Sequence, residues 1–193
     1  MAEEVNAVTL PSFGHVDGAY LAWNALAFAM TFVWSSFGEW IIHAGFLHSR
    51  RIVSFAWKLH DQEHHVLFRG DATYESAADD PRTKHVMFVA RDYALILLAH
   101  LPLFLAAEML FRRPALLGGL LCVLAALQMF NSLHWRYHVP SDTWFQRTAL
   151  FRFLKEHHRL HHDRTDRNLN VFFLPLADWC LGTLITRPCE VRR

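Results

Sequence analysis

Long apolar stretches alternate along this chain with shorter polar ones rich in histidine. Residues Gly18 to Gly38 carry no Asp, Glu, Lys or Arg, enough to cross a hydrocarbon core that needs about 20 residues. The apolar pattern runs on past Glu39 through Trp40, Ile41 and Ile42 to Leu47, so the first helix is predicted to carry His43 and His48 out at one membrane face. Tyr93 to Phe111 predicts a second span, interrupted by His100, Pro102 and Glu108; after the turn Arg112-Arg113-Pro114, Ala115 to Leu133 predicts a third. The last two make a helical hairpin. Arg69 to Lys84, with Gly70, Asp79, Asp80 and Pro81, reads as a loop. Ser141 or Asp142 is predicted to cap a helix running to about His162, with Trp144, Phe151, Leu154, His158, His161 and His162 on one broad face. Val171 to Ile185 is apolar but short and broken by Pro175 and Asp178, the pattern of an interfacial segment rather than a fourth span.

The class this predicts is an all-α integral membrane protein with about three transmembrane helices plus cytosolic or interfacial helices. One domain is expected over residues 1–193, with tails at 1–17 and 186–193. The positions of the basic residues orient it. The first eighteen residues hold no Lys or Arg, Arg112 and Arg113 sit in the hairpin turn, and all other basic residues lie between Arg50 and Arg91 or from Arg136 onward. The positive-inside rule makes those two regions cytoplasmic. Three crossings satisfy this, facing a bacterial cytoplasm or the cytosolic side of the endoplasmic reticulum. The amino terminus has neither the basic start of a secretory signal nor the arginines of a transit peptide, so the first span is expected to be retained. A net charge of +1 without a basic stripe argues against nucleic acid as a partner. Three cysteines without a Cys-x-x-Cys pair support neither a disulfide framework nor a thiolate metal site.

The chemistry lies in the histidines. Ten of fourteen fall into four clusters: His43 and His48; His60, His64 and His65; His134 and His138; His158, His161 and His162. On the predicted topology all four reach the same side of the membrane. His60 and His64, like His134 and His138, are four apart and on a regular helix project toward a shared point; His158, His161 and His162 allow three rings to converge from one helix. His43 and His48 are five apart, about 140° around a regular helix, so that pair either bridges two sites or straddles a helix end. His157 is an alternative to His158. His15, His85 and His100 read as packing residues. An all-imidazole set accepts iron, copper or zinc, and eight to ten rings suit two ions better than one. Glu39, one turn before His43, is the leading candidate to orient a ligand ring; Asp163, Asp61 and Glu63 are weaker ones.

The sequence resembles the membrane fatty acid hydroxylase superfamily, which also takes in sterol desaturases and carotenoid hydroxylases. The residues carrying the resemblance are Glu39-Trp-Ile-Ile-His43 with His48, His60 to His65, His134-x-x-x-His138, and Phe153-Leu-Lys-Glu-His-His-Arg-Leu-His-His162 followed by Asn170 and Asp178-x-x-x-Gly182-Thr183. The resemblance implies a non-haem di-metal centre, functionally di-iron, held on the cytosolic side of a helical membrane domain, with zinc an ion the same ligands take up on purification. It implies O₂ as co-substrate and insertion of oxygen into an unactivated C–H bond of a lipid-like substrate. Two departures stand out: His60-x-x-x-His64-His65 where many hydroxylases have His-x-x-His-His, and Ala177 where the family often has tryptophan. No His-Pro-Gly-Gly run is present, so the haem electron-carrier domain fused to some relatives is lacking and a separate donor protein is implied.

Trp40, Phe68, Tyr74 and Trp144 are candidates to line a substrate path, although interfacial anchoring suits each tryptophan better. A desaturase would use the same centre. Two rivals lie outside this class. A bis-histidine haem carrier needs facing rings within the membrane, where only His100 lies near mid-span, and a metal transporter needs ionisable groups along a crossing path, where there is little beyond His100 and Glu108. No His-Glu-x-x-His zinc-protease motif occurs.

Overall fold

A computed structural model describes residues 17–171 and 175–187. Among these residues the protein is all-helical, with no strand. Helix α1 (Gly18–Ile42) starts at Asp17, whose carboxylate accepts the Tyr20 amide at 2.7 Å, and runs on into a π-helical turn over His43–Leu47. A short α2 (Ser54–Trp57) leads into a second π-helical stretch over Lys58–His64 and then α3 (His65–Leu67). A 3₁₀ turn, Pro81–His85, precedes α4 (Ala90–Phe111), and α5 (Leu116–His138) follows a tight turn. After a 3₁₀ turn at Phe145–Arg147 come α6 (Ala149–Asp163) and the short α7 (Leu176–Leu181).

Three segments are long and apolar enough to cross a membrane: Gly18–Leu47, Pro81–Phe111 and Leu116–His138. Their outer faces expose Leu21, Met30, Leu98 and Met109, the surface that lipid rather than water would cover. Polar groups inside these helices are partnered locally. Glu108 accepts the amides of Ala115 and Leu116, both at 2.8 Å, and so caps the start of α5. Asn24 on α1 accepts the Gly118 amide of α5 at 2.8 Å. That close crossing requires glycine, because a Cβ at Gly118 would run into the Asn24 backbone carbonyl. Gly119 likewise leaves room for the Phe104 ring of α4.

The carboxyl end of α1, the amino end of α4 and the carboxyl end of α5 all lie where the histidines are, which is the alternation three crossings require. Beneath them a core of Tyr74, Phe130, Leu133, Tyr137, Phe151, Leu154 and Val171 ties the long helices to α6.

The predicted start of the sixth helix is corrected. Thr148, not Ser141 or Asp142, caps it, its hydroxyl accepting the Phe151 amide at 3.2 Å. Ser141 is taken up instead by Gln146, which accepts both its amide and its hydroxyl. Trp144 therefore stands outside the helix and is exposed rather than part of its buried face. Of Val171 to Ile185, residues 175–185 form a short helix and a turn packed against α1, and 172–174 lie outside the described residues. The predicted tails, apart from residues 17, 186 and 187, and His15 with them, also lie outside.

Candidate metal centre

The ten clustered histidines assemble into two groups of five: His43, His48, His60, His65 and His161 in the first, and His64, His134, His138, His158 and His162 in the second. Within each group the nearest ring nitrogens all lie within 4.8 Å of one another. Helix geometry explains the division. In the second group, His134 and His138 on α5 and His158 and His162 on α6 are four apart on regular α-helices and so share a face. In the first group the pairs are five apart and the backbone is π-helical. The His48 amide bonds to the His43 carbonyl (3.0 Å) and the His65 amide to the His60 carbonyl, so residues one π turn apart point the same way.

Three expectations drawn from regular helices are thereby corrected. His60 and His64 do not converge: the π stretch turns His60 toward the first group and His64 toward the second. His158, His161 and His162 do not share a point either, since His161 faces the first group. His43 and His48 neither bridge the two groups nor straddle a plain helix end, because the π turn brings both into one group. His157 belongs to neither; its Nε2 lies 3.2 Å from Asp178.

The outer ring nitrogens reveal the protonation pattern. His43 Nδ1 faces the Leu169 carbonyl at 2.5 Å and His161 Nδ1 the Arg167 carbonyl at 2.8 Å; His134, His138 and His162 face the carbonyls of Val86, Tyr74 and Phe68 at 2.5, 2.8 and 2.5 Å. His48 Nδ1 faces the Asp61 carboxylate at 2.8 Å. A carbonyl or carboxylate oxygen only accepts, so each of these six Nδ1 atoms carries the proton and each Nε2 presents a lone pair. Three such lone pairs point into each group.

The Nε2 atoms meet one another: His43 and His60 at 2.9 Å, His48 and His161 at 3.2 Å, His138 and His158 at 3.1 Å, His158 and His162 at 3.0 Å. Converging lone pairs in a buried site call for a cation. His64 is buried with neither nitrogen partnered, and His134 Nε2 is likewise orphaned. A metal–imidazole bond of about 2.1 Å puts ligands at right angles about 3.0 Å apart and tetrahedral ones about 3.4 Å apart. The observed separations, 2.9 to 3.2 Å, are ones that ligands of a single ion can take up, so each group could hold a metal ion.

Burial keeps these rings in their ligating form. It pushes His162 down to about 3, and His60, His64, His65, His158 and His161 well below the ordinary histidine value, with neighbouring imidazoles adding to the effect. All are neutral at physiological pH.

The carboxylates fall differently from the sequence reading. Glu39 accepts the Val171 amide at 3.0 Å and the Asn170 side chain at 3.1 Å, so it grips the backbone near Leu169 while the His43 Nδ1 goes to the Leu169 carbonyl. Asp163 pairs with Arg159 at 3.0 Å. Glu63 meets His85 at 3.1 Å. Asp61 is the carboxylate on a clustered ring. Removing its charge with Asp61→Asn is expected to weaken metal binding in the first group by about 10- to 100-fold and leave the second unchanged, read as a split into two release steps against a chelator.

A segment not singled out by the sequence as structural, residues 167–171, braces the first group. Its backbone carbonyls hold His43 and His161, and Val171 O accepts the Tyr137 hydroxyl at 3.2 Å. Asp178, fully buried, pins this segment: it accepts the amides of Leu169 (2.9 Å) and Asn170 (2.7 Å), the Thr183 hydroxyl (2.6 Å) and His157 Nε2 (3.2 Å). Burial pushes this carboxyl up, but the bonds from His157, Thr183 and the two amides outweigh it and hold the group below the usual carboxylate range. A lone acid in the apolar run from Val171 to Ile185 was the available signal.

The family model for fatty acid hydroxylases matches residues 28–183. The chain belongs to the fatty acid hydroxylase family. Comparison with curated proteins and with solved structures gave no match. The matched span encloses every clustered histidine, Glu39, Asp61, Asp178 and Thr183. For this fatty acid hydroxylase family member, the family and the histidine clusters together support a membrane hydroxylase- or desaturase-type function.

An apolar cleft between α1, α4 and α5 reaches this centre. Gly38, Ile42 and Leu47 line one wall, Phe88 and Ile96 a second, and Val123, Leu127 and Phe130 a third, with His43 and Glu39 at one end and His100 also on its surface. Of the residues suggested as lining a path, Phe68 and Tyr74 are instead buried against His138 (ring centroids 4.6 Å from each), and Trp40 donates to the Thr183 hydroxyl at 3.0 Å.

Proposed function

We propose that this protein is an O₂-dependent, non-haem di-iron oxygenase that hydroxylates a C–H bond of an apolar, lipid-like substrate. The observation carrying the proposal is that His43 belongs at once to the first histidine group and to the wall of the apolar cleft. An apolar molecule entering from the bilayer would thus bring a carbon to the edge of the metal centre without crossing water. Five imidazoles per group favour iron over a tetrahedral structural zinc, which takes four ligands. The first group would be held by His43, His48, His60, His65 and His161, the second by His64, His134, His138, His158 and His162. When bound, the two ions supply the reduction of O₂ and the attack on the C–H bond.

The chain's own contribution is positional. The π turns and α-helices bring ten imidazoles toward two points, and the backbone carbonyls on the outer nitrogens of five of them keep those rings from rotating. The aliphatic walls of the cleft hold the substrate and exclude water from the reacting end. Electrons would come from a separate donor protein on the histidine-bearing face, and the placement of basic residues supports a cytoplasmic location for that face.

The test is reconstitution with ferrous iron under anaerobic conditions in lipid discs, followed by a chemical or protein reductant, ¹⁸O₂ and membrane lipid extract. One ¹⁸O atom in a product that depends on both iron and reductant is the expected result. A product lacking two hydrogens and no oxygen would make the protein a desaturase. No O₂-dependent product from lipid extracts, with both ions bound, would overturn the proposal.

A further inference from the structure

His100 has no role in the metal centre, yet it is a polar residue near the middle of a membrane-crossing helix. It lies about 15 Å along α4 from Ala90, at 1.5 Å per residue. Ionisable groups at that depth are costly and ordinarily engage something specific. Its ring is half-buried, stacks with Phe104 at 6.1 Å and lines the apolar cleft whose far end is His43. Nδ1 faces the Ile96 carbonyl one turn back at 2.8 Å, so Nδ1 carries the proton. Nε2 is therefore an acceptor, and among the described residues no protein donor reaches it.

An acceptor without a donor, on an apolar wall within a membrane-crossing helix, selects for a ligand group that donates. The histidine-bearing end of α4 is Ala90, and the α1 wall of the cleft runs from Ser35 to Leu47, so the distance from His100 to the metal-side end is roughly 15 Å at 1.5 Å per residue.

We propose that His100 is a specificity-determining residue that accepts a hydrogen bond from a hydroxyl group of the substrate, and that the substrate is an apolar alcohol whose O–H lies roughly 15 Å from the carbon presented at His43. A carboxylate or an ester at that position offers no proton and leaves Nε2 unpaired. The identity of the reacting carbon rests on the oxygenase reading above; the preference for a hydroxyl does not.

The experiment uses hexadecanol and its methyl ether, which differ in the donor and little else. Binding of each to the metal-free full chain in lipid discs is measured for the wild type, His100→Phe and His100→Gln. The wild type is expected to hold the alcohol roughly tenfold more tightly than the ether. His100→Phe keeps an aromatic ring but has no acceptor, and is expected to bind the two equally. His100→Gln restores an acceptor and is expected to restore much of the preference. Equal binding by the wild type, binding of neither probe, or a preference surviving in His100→Phe overturns the proposal. Turnover of the same probes by iron-loaded protein is scored separately. A hydroxyl preference with no oxygenated product would leave His100 as assigned and count against the oxygenase reading alone.

Discussion

His64→Leu and His161→Leu are each expected to remove one ion of two, abolish oxygenation and leave the three long helices inserted. The two positions report on different groups, since His161 faces His48 and His65 (Nε2 separations of 3.2 Å) whereas His64 packs against His134, His138 and His162. Loss of a residue that merely orients a ligand costs about 10- to 100-fold in affinity or activity, so loss of the ligand itself should exceed that. Stability separates metal ligation from plain packing. His64 buries two nitrogens without partners, each costing about 1–3 kcal/mol while unmet. In metal-free protein His64→Leu should therefore be neutral or stabilising, and in iron-loaded protein strongly destabilising, because an ion that binds only the folded state adds to its stability. Melting curves in detergent with and without iron check the change of sign. The same sign in both conditions would mean that His64 is a core residue and the second group holds no ion.

The parts of this architecture legible in the sequence were those set by local rules. A hydrocarbon core imposes length and apolarity on any helix that crosses it, so Gly18 to Gly38, Tyr93 to Phe111 and Ala115 to Leu133 announced the three long segments. The His134/His138 and His158/His162 pairs were readable because four-residue spacing has one meaning on an α-helix. The assignment of rings to groups was not readable. His43/His48 and His60/His65 share a group only because the backbone widens to π geometry, and nothing in residues such as Ala44-Gly45-Phe46 specifies that widening.

The supporting atoms were hidden for a different reason. Five of the six oriented rings meet backbone carbonyls, which every residue possesses, so no residue type marks Val86, Arg167 or Leu169 as a brace. The Glu39 spacing to His43 suggested a direct contact, but tertiary packing sends its carboxylate to Asn170 and Val171 and leaves Asp61 to meet His48. Asp178 stood in the family-like motif, but its bracing role was hidden because its partners are two amides, a threonine and a histidine from the other side of a turn.

Asp178→Ala is expected to be the most damaging substitution outside the histidines. The four donors it accepts would be stranded in a site with no solvent access, since Asp178 itself is fully buried. At about 1–3 kcal/mol for each of four stranded groups, the loss is at least comparable to the roughly 4–5 kcal/mol that marks an exceptional point substitution. The consequence should be local before it is global. Residues 167–171 lose their anchor and the carbonyls of Arg167 and Leu169 move from His161 and His43, whereas the second group keeps the carbonyls of Phe68, Tyr74 and Val86. Metal content should drop toward one ion per chain, with the survivor in the second group, and protease cleavage should appear first between Arg164 and Arg187. Asp178→Asn keeps one accepting oxygen but turns an amide donor toward partners that also donate, so it should lie between Ala and wild type. Equal loss of both ions in Asp178→Ala, with intact melting behaviour, would show that the 167–171 segment does not brace the first group selectively.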